Sequence, residues 1–193
     1  LDIRKTERTK DIPQLKRYYG EVSGSLHHEY ALVVYRVDSE HHIKVDERKY
    51  RLTEIIFHIP SEHKVDGIPF DMEVQFIHRD KEERMAVVAL LVEEGRQAHG
   101  EFAKIVQKLT KKNDFPANNI KLDIEKMMPF EASYFHYEGS LTVPPCTENV
   151  PWFVMIQPVR FAAGQIDRFM NVVKYNARPI QLQHSRLVKR SWK

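Results

Sequence analysis

Cysteine is almost absent from this chain. A single residue, Cys146, in 193 rules out an internal disulfide framework and any zinc module built from several cysteines. Glycine is scarce too, with 7 residues against 10 prolines, and neither gathers into a linker. Low-complexity and collagen-like readings are thereby removed. No apolar run approaches the roughly 18 residues that a membrane-spanning helix needs, so no transmembrane segment is expected. Neither sign of charge dominates. The 30 Lys and Arg residues face 27 Asp and Glu, a net of +3. That balance makes no electrostatic case for a nucleic-acid partner, and none is expected. No Asn-x-Ser/Thr sequon occurs, which speaks against a secreted glycoprotein.

What is present is globular. The chain is 42% hydrophobic and 30% charged, enough apolar material to bury a core. Its length fits one domain, read here as residues 1–193. The first residue is Leu1, with no signal-like apolar stretch after it, so the natural start is expected to be processed or to lie upstream.

Strand patterns dominate. Leu1 to about Leu26 is charged and weakly periodic, and reads as loop with short extended pieces. Tyr30 to Val37 and Tyr50 to Ile59 are rich in β-formers, the second ending at Pro60. Phe70 to His78 alternates: Phe70, Met72, Val74 and Phe76 to one side, Asp71, Glu73, Gln75 and Ile77 to the other. Met85 to Val92 is a nearly continuous apolar run, as in a strand buried on both faces. Val150 to Val159 is another strand, and Ser185 to Lys193 ends in a short extended stretch. Two helices are predicted, from Phe102, Ile105, Val106 and Leu109 and from Ile166, Phe169, Met170 and Val173, each at i, i+3, i+4, i+7. The expected fold is mainly β (α+β): a large, mostly antiparallel twisted sheet with peripheral helices.

Four segments carry the chemistry. They are Tyr50–Ile59 (YRLTEIIFHI), Ser61–Gly67 (SEHKVDG), Glu73–His78 (EVQFIH) and Tyr137–Trp152 (YEGSLTVPPCTENVPW). Together they resemble the α-class carbonic anhydrases. The first is similar to the strand carrying two zinc histidines and the third to the strand carrying the last one. The second resembles the segment with the glutamate that orients a catalytic threonine, and the fourth the signature around that threonine. Asn176-Ala177-Arg178-Pro179 through Ser191-Trp192-Lys193 resembles the family's C-terminal strands. The pieces stand in the family's order over nearly the whole chain, without an N-terminal portion, one hairpin and a longer loop after His58.

The resemblance implies three imidazoles around a zinc whose open position holds water. Here the three positions are Ile56, His58 and Gln75. Isoleucine has no lone pair, and a glutamine oxygen is a poor zinc ligand. One histidine does not hold zinc, because affinity comes from several preorganised donors. Cofactor and metal are therefore expected to be absent. The implied identity is a carbonic anhydrase-related, acatalytic member, not an enzyme. Thr142, Glu62 and His41 are then vestigial catalytic positions: the threonine, its hydrogen-bonding glutamate and the neighbourhood of a proton-shuttle histidine. Thr142 and Glu62 are expected to satisfy each other. Glu54 and Glu73 are positions behind the ligands, with the Gln75 amide able to donate to Glu73.

Plainer roles compete at each histidine. His58 reads as a hydrogen-bonded core residue, His41 and His42 as exposed loop residues, His63 as a brace of its loop, and His78 as packed. Cys146 stands where some members carry half of a disulfide whose partner would lie in the missing portion, so a free thiol is expected. The basic end, Arg186, Lys189, Arg190 and Lys193, reads as a solvated face or as contact for an acidic partner.

Three functional readings follow from the resemblance. The first is a noncatalytic subunit of a larger protein assembly, with other protein subunits as partners and no small-molecule substrate. The second is zinc-dependent CO2 hydration with an altered metal site. The third is a small-ligand pocket, its floor made more apolar by Ile56. A pI near 8.9 suits an organelle such as the mitochondrion without selecting it, and secretion is the alternative.

Overall fold

A computed structural model describes residues 1–37, 39–109, 115–173, 175–183 and 186–191. Its strands in chain order are β1 (Asp2–Ile3), β2 (Glu7–Thr9), β3 (Leu15–Tyr18), β4 (Glu21–Glu29), β5 (Leu32–Val37), β6 (His42–Val45), β7 (Arg48–His58), β8 (Lys64–Val65), β9 (Ile68–Pro69), β10 (Met72–Arg79), β11 (Met85–Gly95), β12 (Ala117–Asp123), β13 (Tyr134–Ser140), β14 (Glu148–Met155), β15 (Val159–Ala162) and β16 (Lys189–Ser191). The helices are α1 (Gly100–Val106) and α2 (Ala163–Val173).

Thirteen of these strands form one sheet, whose main path runs β12-β4-β5-β7-β10-β11-β14-β13-β16-β2. The fold is the mainly β, twisted-sheet architecture that the strand patterns predict. Most pairings are antiparallel. The exceptions in this sheet are β11 with β14, β11 with β15, and β16 with β2, all parallel. The most apolar strands lie at the centre. β11 is buried from Ala86 to Val92, with apolar side chains packed on both faces, which is why its sequence does not alternate.

One face of the sheet carries the main core. Ile55 and Phe57 of β7 and Met72, Val74 and Phe76 of β10 point into it, with Phe102 and Ile105 of α1 and Ile166 and Phe169 of α2. The rings interlock: Phe102 stacks on Phe161 at 4.1 Å and Phe57 tilts against Phe169 at 5.0 Å. Burying one such ring contributes about 1.5–3 kcal/mol. The other face carries a smaller cluster that includes Ile56, Val34, Leu91, Trp152 and Leu141. It is interrupted by buried polar side chains, and these define the site.

The predicted strands and helices all appear, with shifted ends. The N-terminal reading needs correction. Leu1 to Leu26 is not mainly loop: it holds β1, β2, β3 and most of the nine-residue β4. Its charged residues sit on strands with one solvent face, where polarity hides the pattern. β12 was not foreseen. Val150 to Val159 is broken into β14 and β15, because Pro158 has no N–H to extend the ladder. Residues 184, 185, 192 and 193 of the predicted closing stretch lie outside the described residues; β16 occupies the part between.

Candidate functional site

The register of β7 against β10 assembles the site floor. Gln75 lies opposite Ile56, and Glu73 opposite His58. Opposed residues in an antiparallel pair are about 4.5–5.5 Å apart at Cα. Residues two apart on one strand share a face. Ile56, His58 and Gln75 therefore sit side by side on the smaller-core face, all buried.

Gln75 is held between two carboxylates. Its amide nitrogen donates to Glu62 Oε2 and to Glu73 Oε1, each at 2.9 Å. An amide –NH2 has two hydrogens to give, which suits a place between two acceptors. Glu73 also accepts from the backbone N–H and the ring Nδ1 of His63, both at 2.8 Å. His63 Nε2 meets the Tyr137 hydroxyl at 2.7 Å. An ionised carboxylate only accepts, so Nδ1 donates to Glu73. Burial pushes the Glu73 carboxyl up, but His63, through charge and two hydrogen bonds, outweighs this and holds it at about 2. Burial and nearby Glu73 push the Tyr137 hydroxyl well above its ordinary range.

His58 is different. Its ring is 1% exposed and neither nitrogen has a hydrogen-bond partner among the described residues. Glu62 Oε1 stands 3.5 Å from Nδ1, and that oxygen already accepts the backbone N–H of Arg178 at 2.8 Å. His58 is thus not the satisfied core histidine expected from sequence. Thr142 does not pair with Glu62 either. Both Glu62 oxygens are taken, by Gln75 and Arg178, and Thr142 is half-buried on the wall of a cleft of about 210 Å³ that Glu62, Ser140, Arg178 and Arg186 also line. Ile56 joins the apolar cluster and does not line this cleft, whose walls are mixed rather than apolar.

Other predicted positions fall elsewhere. Glu54 is half-exposed and faces Arg36, with Oε1 3.7 Å from its Nε. His41 contacts the carbonyls of Tyr18 and Glu21, and its own carbonyl binds Leu52 N–H. Leu52 is six residues from His58 along β7, about 20 Å at the rise of a strand. His41 is not brought to the site floor. His63 braces its loop as predicted, and His78 is packed against Tyr19. Cys146 is a free thiol. A larger hollow of about 790 Å³, lined by Asp46, Arg48 and Arg84 among others, holds none of these positions. Two contributors were missed. Tyr137 stands in the sequence as one residue of a motif with no role of its own, although its place among the aromatic residues of β13 marks it. Asn176 ties the end of β7, accepting from Ile59 N–H and donating to the Phe57 carbonyl.

The family model described as eukaryotic-type carbonic anhydrase matches residues 4–192. The chain belongs to the carbonic anhydrase family. A carbonic anhydrase of Nostoc sp. is 37% identical over 150 residues, which is 76% of this chain and 56% of that protein. One of Neisseria gonorrhoeae is 33% identical over 147 residues, 76% of this chain and 58% of that protein. The Photobacterium profundum α-carbonic anhydrase structure superposes with a TM-score of 0.91 at 27% identity, covering 98% of this chain and 87% of that one. This chain spans 56–63% of the length of the first curated relatives it matches.

These comparisons correct the reading that the chain is not an enzyme. The relatives from Nostoc, Pectobacterium and Neisseria and the solved neighbour from Photobacterium are carbonic anhydrases, which are enzymes, and nothing in the comparisons shows a loss of activity. The acatalytic label is likewise not shown. Ile56 and Gln75 speak about one donor set for one metal, not about turnover.

On that narrower point the residues do not fit a zinc held by three imidazoles. Ile56 offers no donor, the Gln75 amide is turned to two carboxylates, and His58 is the one imidazole among the three positions. Among the described residues, no group of three or more His, Cys, Asp or Glu side chains is disposed to hold a metal ion.

Proposed function

We propose that this chain acts on carbon dioxide and bicarbonate, the substrate pair of its family, without the family's three-imidazole zinc. The match of residues 4–192 to the carbonic anhydrase model carries this reading. Hydration of CO2 consumes a water and releases bicarbonate and a proton, so a group must take that proton up. His58 is the free imidazole at the floor, and Glu62 at 3.5 Å from Nδ1 is placed to orient it and to steady its charged form. Water would have to reach Nε2 from the cleft that Glu62 borders. General-base help of this kind contributes about 10²–10⁴-fold.

Stopped-flow CO2 hydration on purified, folded protein tests the reading, with metal content measured on the same sample. The expected result is acceleration over buffer that His58→Ala abolishes, with less than one zinc per chain. A folded protein no faster than buffer overturns it. Stoichiometric zinc would overturn the metal-free part.

A second reading, that the domain serves as a subunit of a protein assembly, is favoured by one feature. Tyr175, Ile180 and Leu182 are exposed within the irregular stretch 175–183, at 75%, 39% and 74%.

A further inference from the structure

Close to one edge of the sheet lies a polar row that the floor does not use. Val22 and Leu26 of β4 belong to the main core, so Ser23, Ser25, His27 and Glu29, at alternate positions, lie on the opposite face. That is the face of Ile56: His27 is paired with Val34 of β5, and Val34 with Ile56. At the spacing of neighbouring strands the row stands about 10 Å from Ile56. Ser25 Oγ is 2.8 Å from His27 Nε2, and Glu29 Oε1 is 4.0 Å from His27 Nδ1. Arg36 on β5 holds the same Glu29 oxygen at 2.7 Å. Hydroxyl, imidazole and carboxylate thus stand in line, with each ring nitrogen turned to a different neighbour.

A hollow opens beside Ser25. Ala117 of β12 pairs with Leu26 and Ile120 with Gly24, so Asn118 and Asn119 are extra residues opposite Ser25, and Asn119 takes a φ of 57°. The strand bows away there, as at a bulge. The space left, about 410 Å³, is lined by Ser25, Arg36, Asn118, Asn119 and Lys121 among others. Val37 is the one apolar side chain on its wall among the described residues. The donors it presents are the two asparagine amides and the cations of Arg36 and Lys121, the latter also 3.5 Å from Glu21 in an exposed pair.

We infer that Ser25, His27 and Glu29 form a serine nucleophile with its base and its orienting acid, and that the hollow takes small carboxylic esters with a short, polar acyl group. The carboxylate favours the imidazole tautomer with its proton on Nδ1, which leaves the Nε2 lone pair to take the hydroxyl proton. Ser25 Oγ attacks the ester carbonyl as Nε2 accepts that proton. The carbon–oxygen bond to the alcohol breaks, the alcohol leaves with the proton, and the acyl group stays on Oγ. A water then adds to the acyl carbon and gives a proton to Nε2. The acyl–Oγ bond breaks, Oγ takes the proton back, and the carboxylic acid leaves. The asparagine amides and the two cations face the oxyanion that develops in the hollow. Glu29 is a positioning residue that acts through His27, and a base-to-acid separation wider than a hydrogen bond is common before substrate binds. The row is apart from His58 and does not depend on the reaction proposed there.

The test uses the full chain in buffer containing EDTA, so that no metal-bound hydroxide contributes. A fluorophosphonate probe is incubated with the protein and its adduct located by peptide mass spectrometry. The adduct is expected on Ser25 and not on Ser23, which shares the face but has no imidazole bonded to it among the described residues. No adduct, or equal labelling of the two serines, would overturn the inference. p-Nitrophenyl acetate should give a burst of nitrophenolate that Ser25→Ala removes, and should be cleaved faster than p-nitrophenyl octanoate. The reverse order would overturn the assigned ester class. His27→Ala should slow labelling about 10²-fold, with added imidazole restoring part of the rate. Labelling at full rate in His27→Ala would sink the role of the base. Glu29→Gln should lower kcat for the acetate and leave KM unchanged, and an unaltered kcat would remove Glu29 from the row. Thermal melts establish that each variant is folded, and the adduct on the unaltered chain decides the matter where one is not.

Discussion

Along β10, Met72, Val74 and Phe76 pack into hydrocarbon, whereas Glu73 and Gln75, each one residue away, lie in a hydrogen-bonded network with Glu62, His63 and Tyr137. The same strand obeys two sets of rules. On the first side attraction is non-directional, and any side chain of suitable size and shape serves. On the second, each donor needs its acceptor, because a buried polar atom without one costs about 1–3 kcal/mol. His58 shows the second side left incomplete. Its two unpartnered nitrogens mark the place where the network does not close.

The largest effect should come from supplying what the polar side lacks. Ile56→His with Gln75→His sets three imidazoles side by side in the existing β7–β10 register. Zinc affinity measured by competition with a chelator should rise by at least about 10³-fold over the unaltered chain, since several preorganised donors act together. No gain would mean that loss of the Gln75 bridge lets Glu62 and Glu73 rearrange into the space.

Deletions on the two sides come next. Glu73→Ala strips acceptors from His63 and Gln75 and should cost about 3–5 kcal/mol by urea denaturation. Phe57→Ala, in contact with Phe102 and Phe169, should cost a similar ~3–5 kcal/mol through the cavity it leaves. A Glu73→Ala loss well below that of Phe57→Ala would show the polar side to be a looser partner in the fold.

Acid should separate the sides. His78 contacts Tyr19 and Phe76's neighbourhood on the main-core side, and burial holds its imidazole at about 3 against an ordinary 6.5. Below 6.5 the unfolded chain takes up a proton that the folded one refuses, so stability falls as pH drops from about 6.5 toward 3. Glu73 is held at about 2 against an ordinary 4.5, so its contribution is complete above 4.5 and fades as pH drops from there toward 2. Each slope has an upper limit of about 1.4 kcal/mol per pH unit. Urea midpoints from pH 7 to 3 should therefore decline in two stages. His78→Gln should shrink the earlier stage, to which His99 and His136, also held below their ordinary range by burial, contribute as well, and Glu73→Gln should shrink the later one. A flat profile down to pH 5 in the unaltered protein would contradict the assignment to His78.

The smallest effect belongs to a single methylene. Ile56→Val, at a buried position of the smaller cluster, should cost only about 0.5–1.5 kcal/mol and leave the hydrogen-bonded network intact. A larger loss would mean that Ile56 braces the network as well as filling space.

The strands that build the site were legible because their patterns are strong. The alternation assigned Met72 to Ile77 of β10 to their sides, although Phe70, ahead of the strand, packs with the smaller cluster and not with Met72, and the unbroken run from Met85 to Val92 gave away a central strand. The N-terminal strands were not legible, since their charged residues face solvent and their short spans carry little pattern. At the site, the Glu73–Gln75 contact was foreseen from two residues on one strand face, and His63 as a brace from its loop. The Thr142–Glu62 pairing was not realised: Thr142 lies on the cleft wall, and Glu62 accepts from Gln75 and from the distant backbone N–H of Arg178 instead. His41 could not be placed from sequence, since its distance from His58 depends on which part of β7 the adjoining strand β6 pairs with.

The residue types were therefore decided by the sequence alone: one imidazole among Ile56, His58 and Gln75, a single cysteine, and no Asp or Glu from Arg168 to Lys193. Side-chain chemistry is local and is present whatever the chain does next. Which oxygen each donor reaches and which histidine is left without a partner were decided only by the tertiary structure. Those depend on strand register and on residues more than a hundred positions apart, such as Glu62 and Arg178, arriving at the same 3 Å.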